Sequence, residues 1–272
     1  MSGVTGPAFG VRPRSFVGVT GPQAADYLQR MLSNDVTALA VGGSCDALLL
    51  TPKARVIATL RVLRRAHDDY LLLTEPELGD VVRAELGRMR FAARAEIATE
   101  EHRSIVVFGA DDRRGGLPTA EYGVPAVELL DADPPPYAVQ LGAKELERMR
   151  IAAGTPRFGR EIDDRVLPAE AGLVERHISF TKGCYPGQEP IARLHYRGHA
   201  NRALRVLQIA GTDVPELDAE VTSDGKVVGR ITSATPTEDG VLALAYVRVE
   251  VADEAPLGVN GAAATMVAPS RP

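Results

Sequence analysis

Behind residue 20 the first strong pattern is helical. Ala25, Leu28, Met31 and Leu32 form one apolar stripe at helical spacing. Pro22 suits the first helical turn, and Asn34–Asp35 closes the helix. The run CDALLL at 45–50 has the length of a buried strand. TPKA at 51–54 reads as a turn with Pro52 at its first central position. Over 55–65, Val56, Ala58, Leu60 and Val62 alternate with more polar neighbours. A second turn at 67–69 leads to YLLLT at 70–74, which completes an antiparallel meander of three strands. Thr74 and Glu77 have the spacing of a capping box around Pro76. The helix predicted behind them, over 76–91, carries Leu78, Val81, Val82, Leu86 and Met89 on one side.

Further strands follow at AEIATE (95–100) and SIVVFG (104–109), then a charged tip, DDRRGG (111–116). PAVELL and PYAVQL are short strands on either side of DADPPP, and KELERMRIAA (144–153) is an amphipathic helix. Strands and helices in this order predict an α+β fold and not an alternating parallel one. Residues 155–185 lack periodicity. Phe158, Ile162, Leu167, Leu173, Ile178 and Phe180 are too many apolar anchors for disorder, so an ordered, functional loop is expected. From residue 203 on, ALRVLQIAG, KVVGRITSA, GVLALAYVRV and ATMVAP predict a small barrel or sandwich.

Composition narrows the function classes. A chain of 272 residues with 45% apolar residues can bury a large core without staples. Lysine and arginine number 31 against 36 acidic residues, a net charge of −5, which argues against a general nucleic-acid binder. Two cysteines without a CxxC pair exclude a disulfide scaffold, and no metal site is expected. The N-terminal stretch lacks an apolar signal core, and no run of 18 apolar residues occurs. A soluble, cytoplasmic, reduced protein that binds neither membrane nor nucleic acid is the expectation, and the charge pattern is compatible with a monomer. The charge is unevenly spread. Residues 182–205 hold Lys182, Arg193, Arg197, Arg202 and Arg205 against Glu189 alone, whereas 206–272 hold four basic and ten acidic residues.

That basic stretch opens with Lys182-Gly183-Cys184-Tyr185-Pro186-Gly187-Gln188-Glu189. It reads as a tight loop feeding a helix started by Pro186, with Ile191, Leu194, Arg193 and Arg197 at helical spacing. A thiol at Cys184 near a helix start and beside Lys182 has the setting of a reactive cysteine; a buried, inert thiol is the commoner fate of a lone cysteine. Cys45, at the start of an apolar strand, reads as inert. His195 and His199 are four apart but lack a third ligand, and they read as surface residues, as His177 reads as a loop residue. Gly183 and Gly187 read as backbone devices.

KGCYPGQE, followed by Ala192-Arg193 and Arg197-Gly198, resembles the KGCYxGQE…AR…RG signature of the YgfZ-type folate-binding proteins, relatives of the aminomethyltransferase (T-protein) of the glycine cleavage system. GPQAADYLQRMLSNDV (21–36), LLLTPKARV (48–56) and RIAAGTPRFGREIDDRVLPAEAGL (150–173) are similar to other segments of that superfamily, in the same order. The resemblance implies a ring of two intertwined ferredoxin-like α+β subdomains and a C-terminal β-barrel. The corresponding boundaries are 1–50 with 125–200, then 51–124, then 201–272. It also implies tetrahydrofolate or a derivative in a central channel, and a role in assembly or repair of iron–sulfur proteins, with those clients or assembly proteins as partners. Cys184 is then the reactive or client-contacting thiol, with Lys182 beside it. Tyr185, Gln188, Glu189, Arg193, Arg197 and Asn34 are the candidate folate contacts.

The chain departs from the superfamily at Ala152. A glutamate often stands there, and a carboxylate can pair with the amide and amino edge of a pterin. Glu161, Asp163, Asp164 and Glu170 are nearby candidates to replace it. The catalytic-aspartate segment of a true aminomethyltransferase is also missing, which ranks an accessory role ahead of the alternative, a tetrahydrofolate-dependent aminomethyltransferase or demethylase-type enzyme.

Overall fold

The computed structural model describes residues 6–109 and 116–270. The predicted charged tip, apart from Gly116, lies outside the described residues. The elements in chain order are β1 (Ala8–Val11), β2 (Ser15–Thr20), α1 (Ala24–Met31), β3 (Ser44–Leu50), β4 (Val56–Ala66), β5 (Asp69–Thr74), α2 (Gly79–Met89), β6 (Glu96–Glu100), β7 (Ser104–Phe108), β8 (Leu117–Thr119), β9 (Ala126–Leu130) and β10 (Val139–Gln140). Then come α3 (Ala143–Ala152), α4 (Val174–His177), α5 (Gln188–Arg197), β11 (Arg202–Ile209), β12 (Glu220–Ser223), β13 (Lys226–Thr237), β14 (Gly240–Arg248), β15 (Leu257–Val259) and β16 (Ala262–Val267).

They make two five-stranded sheets and a closed barrel. The first sheet has the order β10-β1-β7-β9-β8, the second β3-β4-β5-β2-β6, and the barrel β11-β14-β13-β12-β15-β16. Because β1 joins one sheet and β2 the other, the two α+β units are intertwined. The boundary expected at 50/51 does not separate them. β3 and β4 are hairpin partners, with Ser44 opposite Leu63 and Leu49 opposite Ala58. The turn between them is too short for a crossover to another sheet. The second sheet therefore runs from β2 through β6, and the first takes β1 with β7–β10.

β3 explains why its sequence reads as an unbroken apolar run. Ala47 and Leu49 face α1 and α2, where Tyr27, Leu28, Val82 and Leu86 complete the core. Leu48 and Leu50 face the other way, into a cluster with Ile162, Val166, Leu173, Ile178, Tyr185 and Ile191. The aperiodic segment 155–185 thus acts as a lid over the second face, and a strand covered on both faces has no solvent side for polar residues. Each fully buried leucine here is worth about 1.5–3 kcal/mol of transfer free energy.

Thr74 does not form the expected capping box. Its hydroxyl donates to the Thr59 carbonyl at 2.9 Å, across the strands, and a 3-10 turn at Pro76–Leu78 precedes α2. Pro186 does not start α5 either. Gly187 is the N-cap, with φ of +83°. No helix among the described residues is long and apolar enough to cross a membrane.

Candidate functional site

The signature loop is anchored by the two residues that flank its cysteine. The Lys182 ammonium is buried and donates to three carbonyl oxygens, those of Gln29 (2.6 Å), Leu32 (2.5 Å) and Asn34 (2.9 Å). These lie at the C-terminal end of α1, where carbonyls lack helical partners and the dipole favours a cation. An ammonium has three protons, and all three are used. Burial draws the Lys182 pKa down to about 8, with Asp35 opposing. Tyr185 is buried as well, its ring 5.3 Å from the Lys182 nitrogen. Burial pushes its phenol up to about 12, and its oxygen has no hydrogen-bond partner among the described residues. Lys182 and Tyr185 point into the protein, and Cys184 between them is exposed. Cys45 is half-buried, and burial together with Asp46 pushes its thiol up to about 12.

Gly187 seats the loop on the β3–β4 turn. A Cβ there would lie 2.7 Å from the Thr51 carbonyl oxygen and 3.0 Å from the Ala54 Cα, and its φ is in the left-handed region. Gly183 is different. Its φ is outside that region and a Cβ would meet nothing within 4 Å, so the fold itself does not require glycine there.

The remaining candidates separate into different places. Asn34 is a tie between elements: its amide donates to the carbonyls of Asp46 (2.7 Å) and Arg176 (3.0 Å). Gln188 is half-buried at the start of α5. Glu189, Arg193 and Arg197 line a groove of about 760 Å³ along α5, together with Ala54, Leu167, Pro168, Val174, Ile191 and Leu194. His195, on the same helix, stacks on Phe180 with centroids 4.1 Å apart.

A second cavity, about 810 Å³, lies where the three units meet. Arg12 and Glu121 come from the first sheet and its loops, Asp46, Arg61 and Glu75 from the second, and Leu204, Val206 and Met266 from the barrel. None of the eight residues singled out from the signature and from the Asn34 turn lines it. Its wall carries two charged clusters. In one, Arg12 donates to both oxygens of Glu75 (2.8 and 3.1 Å) and to Glu121 (2.7 Å), and Arg14 pairs with Glu128 (2.9 Å). Burial alone would raise the Glu121 pKa, but Arg12 and Arg14 hold it at about 2. In the other, Arg176 donates to Asp46 at 2.7 Å, and the buried Nε of Arg61 lies 3.9 Å from the same carboxylate with no hydrogen-bond partner among the described residues. His177 completes this end. Burial lowers its pKa, and its Nδ1 lies 3.1 Å from the Leu173 carbonyl, which can only accept. The proton is therefore on Nδ1, leaving Nε2 as an acceptor.

A family model described as the CAF17 C-terminal beta-barrel domain matches residues 201–271. The chain is 28% identical to the tRNA-modifying protein YgfZ of Edwardsiella ictaluri, over 82% of this chain and 78% of that one. It is 29% identical to an uncharacterized protein of Haemophilus influenzae, over 84% of each. The glycine cleavage system aminomethyltransferase T of Bartonella henselae superposes with a TM-score of 0.84 at 18% identity, covering 98% of this chain and 87% of the other, which shows the shared fold. The chain is a YgfZ-type protein that has the aminomethyltransferase fold.

In this YgfZ-type chain the carboxylates considered as replacements at Ala152 are engaged elsewhere. Glu161 is fully buried and accepts from Arg150 (3.0 Å), Ser233 (2.6 Å) and the Arg157 amide (3.0 Å). Glu170 pairs with Arg202, Asp163 with Arg165, and Asp164 is exposed. None lines the central cavity, whose carboxylates are Asp46, Glu75, Glu121, Glu175 and Asp253. Sequence reasoning missed Arg12, Arg61, Glu75, Glu121 and Asp46. Only Arg61 left a signal, as a charge in the alternating pattern of β4.

Proposed function

We propose that this YgfZ-type protein binds a reduced folate in its central cavity and serves iron–sulfur cluster assembly or repair as an accessory protein, with Cys184 as its client-facing thiol. The observation that carries the reading is the outward presentation of Cys184 between two inward anchors, Lys182 and Tyr185. A thiol held out by a rigid loop suits contact with another protein better than chemistry in a closed pocket. Lys182, with its protons spent on α1, serves as a positioning residue for that thiol.

The cavity has the size of small-molecule sites and polar groups of both kinds. Asp46 and the Nε2 of His177 supply acceptors for the amide and amino edge of a pterin. The guanidinium groups of Arg61 and Arg176, which line the cavity, offer positive charge to a carboxylate. These residues compensate for Ala152. A bound folate would supply one-carbon or redox chemistry; the chain's own residues bind and orient it.

The YgfZ relatives are named for tRNA modification. In our reading this chain, at net charge −5, acts on enzymes that depend on iron–sulfur clusters and not on the RNA. The test has two arms. Calorimetric titration with tetrahydrofolate is expected to give micromolar binding, about −8 kcal/mol, equal in Cys184→Ala and weakened in His177→Phe. Cells lacking the protein are expected to recover iron–sulfur enzyme activity with the wild type and not with Cys184→Ala. Full rescue by Cys184→Ala removes the thiol from the function, and absence of folate binding removes the ligand.

A further inference from the structure

We propose that the groove along α5 is a docking site for an extended, acidic and apolar peptide segment of a partner protein. The proposal rests on the accessory reading only in taking that partner to be a client. The groove is separate from the central cavity. Its floor is Leu167, Pro168, Val174, Ile191 and Leu194. Its rim carries Arg193 and Arg197 together with Glu189, His195 and His199, and among the described residues neither arginine lies within 4.0 Å of a carboxylate, Glu189 included. An apolar trough edged by two unpaired guanidinium groups, on a chain that is acidic as a whole, complements apolar side chains flanked by carboxylates.

The shape selects a peptide. α5 has ten residues, so the trough is about 15 Å long. An extended chain advances about 3.3 Å per residue, and four to five residues fill it. Alternate side chains then enter the floor while those between reach the rim.

The groove is also mechanically joined to the signature loop. α5 starts four residues after Cys184, and its His195 ring stacks on Phe180. A segment held in the groove is therefore presented on the same rigid unit that holds out the thiol.

The test uses the intact protein and the labelled peptide fluorescein-Leu-Glu-Val-Glu-Leu-amide, followed by fluorescence anisotropy. Saturable binding is expected, at least ten-fold tighter than for Leu-Lys-Val-Lys-Leu or Ser-Glu-Ser-Glu-Ser in the same format. Arg193→Glu/Arg197→Glu is expected to lose the acidic peptide by at least ten-fold and to gain the lysine peptide. Where near-UV circular dichroism finds that variant misfolded, Arg193→Gln/Arg197→Gln is expected to weaken the acidic peptide. No saturation with the acidic peptide, or equal affinity for the charge-altered proteins, overturns the proposal. Displacement of the peptide by tetrahydrofolate also overturns it, since the groove would then belong to the folate site. Peptide binding without folate binding would leave the groove standing and remove the folate reading; the converse would do the reverse.

Discussion

The Lys182 ammonium sits 2.5 Å from the carbonyl oxygen of Leu32, 150 residues away in the chain. This contact joins the signature loop to the end of the first helix. It makes a residue of the most distinctive motif part of a helix cap, while Cys184, two positions on, stays exposed. Lys182→Met removes the cap and strands three carbonyl acceptors near the protein interior. A charge-assisted hydrogen bond contributes about 2 kcal/mol, so the melting temperature is expected to fall by about 4–8 °C. Tetrahydrofolate binding, measured below that temperature, is expected to stay within two-fold. A variant of unchanged melting temperature that fails to support iron–sulfur enzymes would assign Lys182 a chemical role instead.

The two glycines of the signature are expected to behave oppositely. At Gly187 an alanine meets the Thr51 carbonyl at 2.7 Å and must hold a left-handed φ. The backbone term alone costs about 1–2 kcal/mol, and the contact adds to it. At Gly183 an alanine meets nothing, so denaturant unfolding is expected to be unchanged. If Cys184 meets a partner, the methyl of Gly183→Ala occupies the space beside the thiol and lowers activity in cells at full stability. Normal activity of Gly183→Ala would mean that no partner approaches closely at that point.

How much of this was legible in the sequence depended on range. Ala58, Leu60 and Val62 alternate with polar neighbours because that face of β4 lies on the helices, and that is written locally; Val56, at the start of the strand, packs in the other cluster. Leu48–Leu50 reads as a buried strand because it is apolar without alternation, covered on both faces. What covers its second face is not local: Ile162 and Ile178 come from a segment without periodicity. The boundary at residue 50 failed because apolar spacing finds a strand without naming its sheet. The Thr74 cap failed because Thr59 supplied a competing acceptor. In the cavity, Arg12 and Glu121 are 109 residues apart, and each alone is an ordinary charged residue. The signature was readable as a motif, but its direction was not. Only burial tells that Lys182 and Tyr185 turn inward and that Glu189, Arg193 and Arg197 face a groove of their own.

The two thiols are expected to differ sharply in reactivity. Cys184 is exposed, whereas the Cys45 thiol, pushed up to about 12, holds almost no thiolate at pH 8. Titration of the folded protein with Ellman's reagent should count one fast thiol, and two after unfolding in guanidinium. Cys184→Ala should abolish the fast phase. A fast phase that persists in Cys184→Ala would mean that β3 opens readily, against the two-sided packing described for it.

The buried ion network predicts an acid limb. Glu121 is held at about 2, below its ordinary value of 4.5. A carboxylate whose folded pKa is depressed contributes stability that is present above its unfolded pKa and is lost as pH falls through the folded one. The loss attributable to Glu121 therefore falls between pH 4.5 and about 2, as protonation leaves Arg12 and Arg14 short of counter-charge in the cavity wall. Urea midpoints measured at constant ionic strength should decline steeply across that window. Glu121→Gln is neutral at every pH, so it should be less stable than the wild type at pH 7 and should decline less steeply below 4.5, the remaining slope coming from Glu128 and the other paired carboxylates. Parallel acid limbs for the two proteins would mean that Glu121 is not held by Arg12 in the folded state, and the cavity wall would then have to be rebuilt around Glu75.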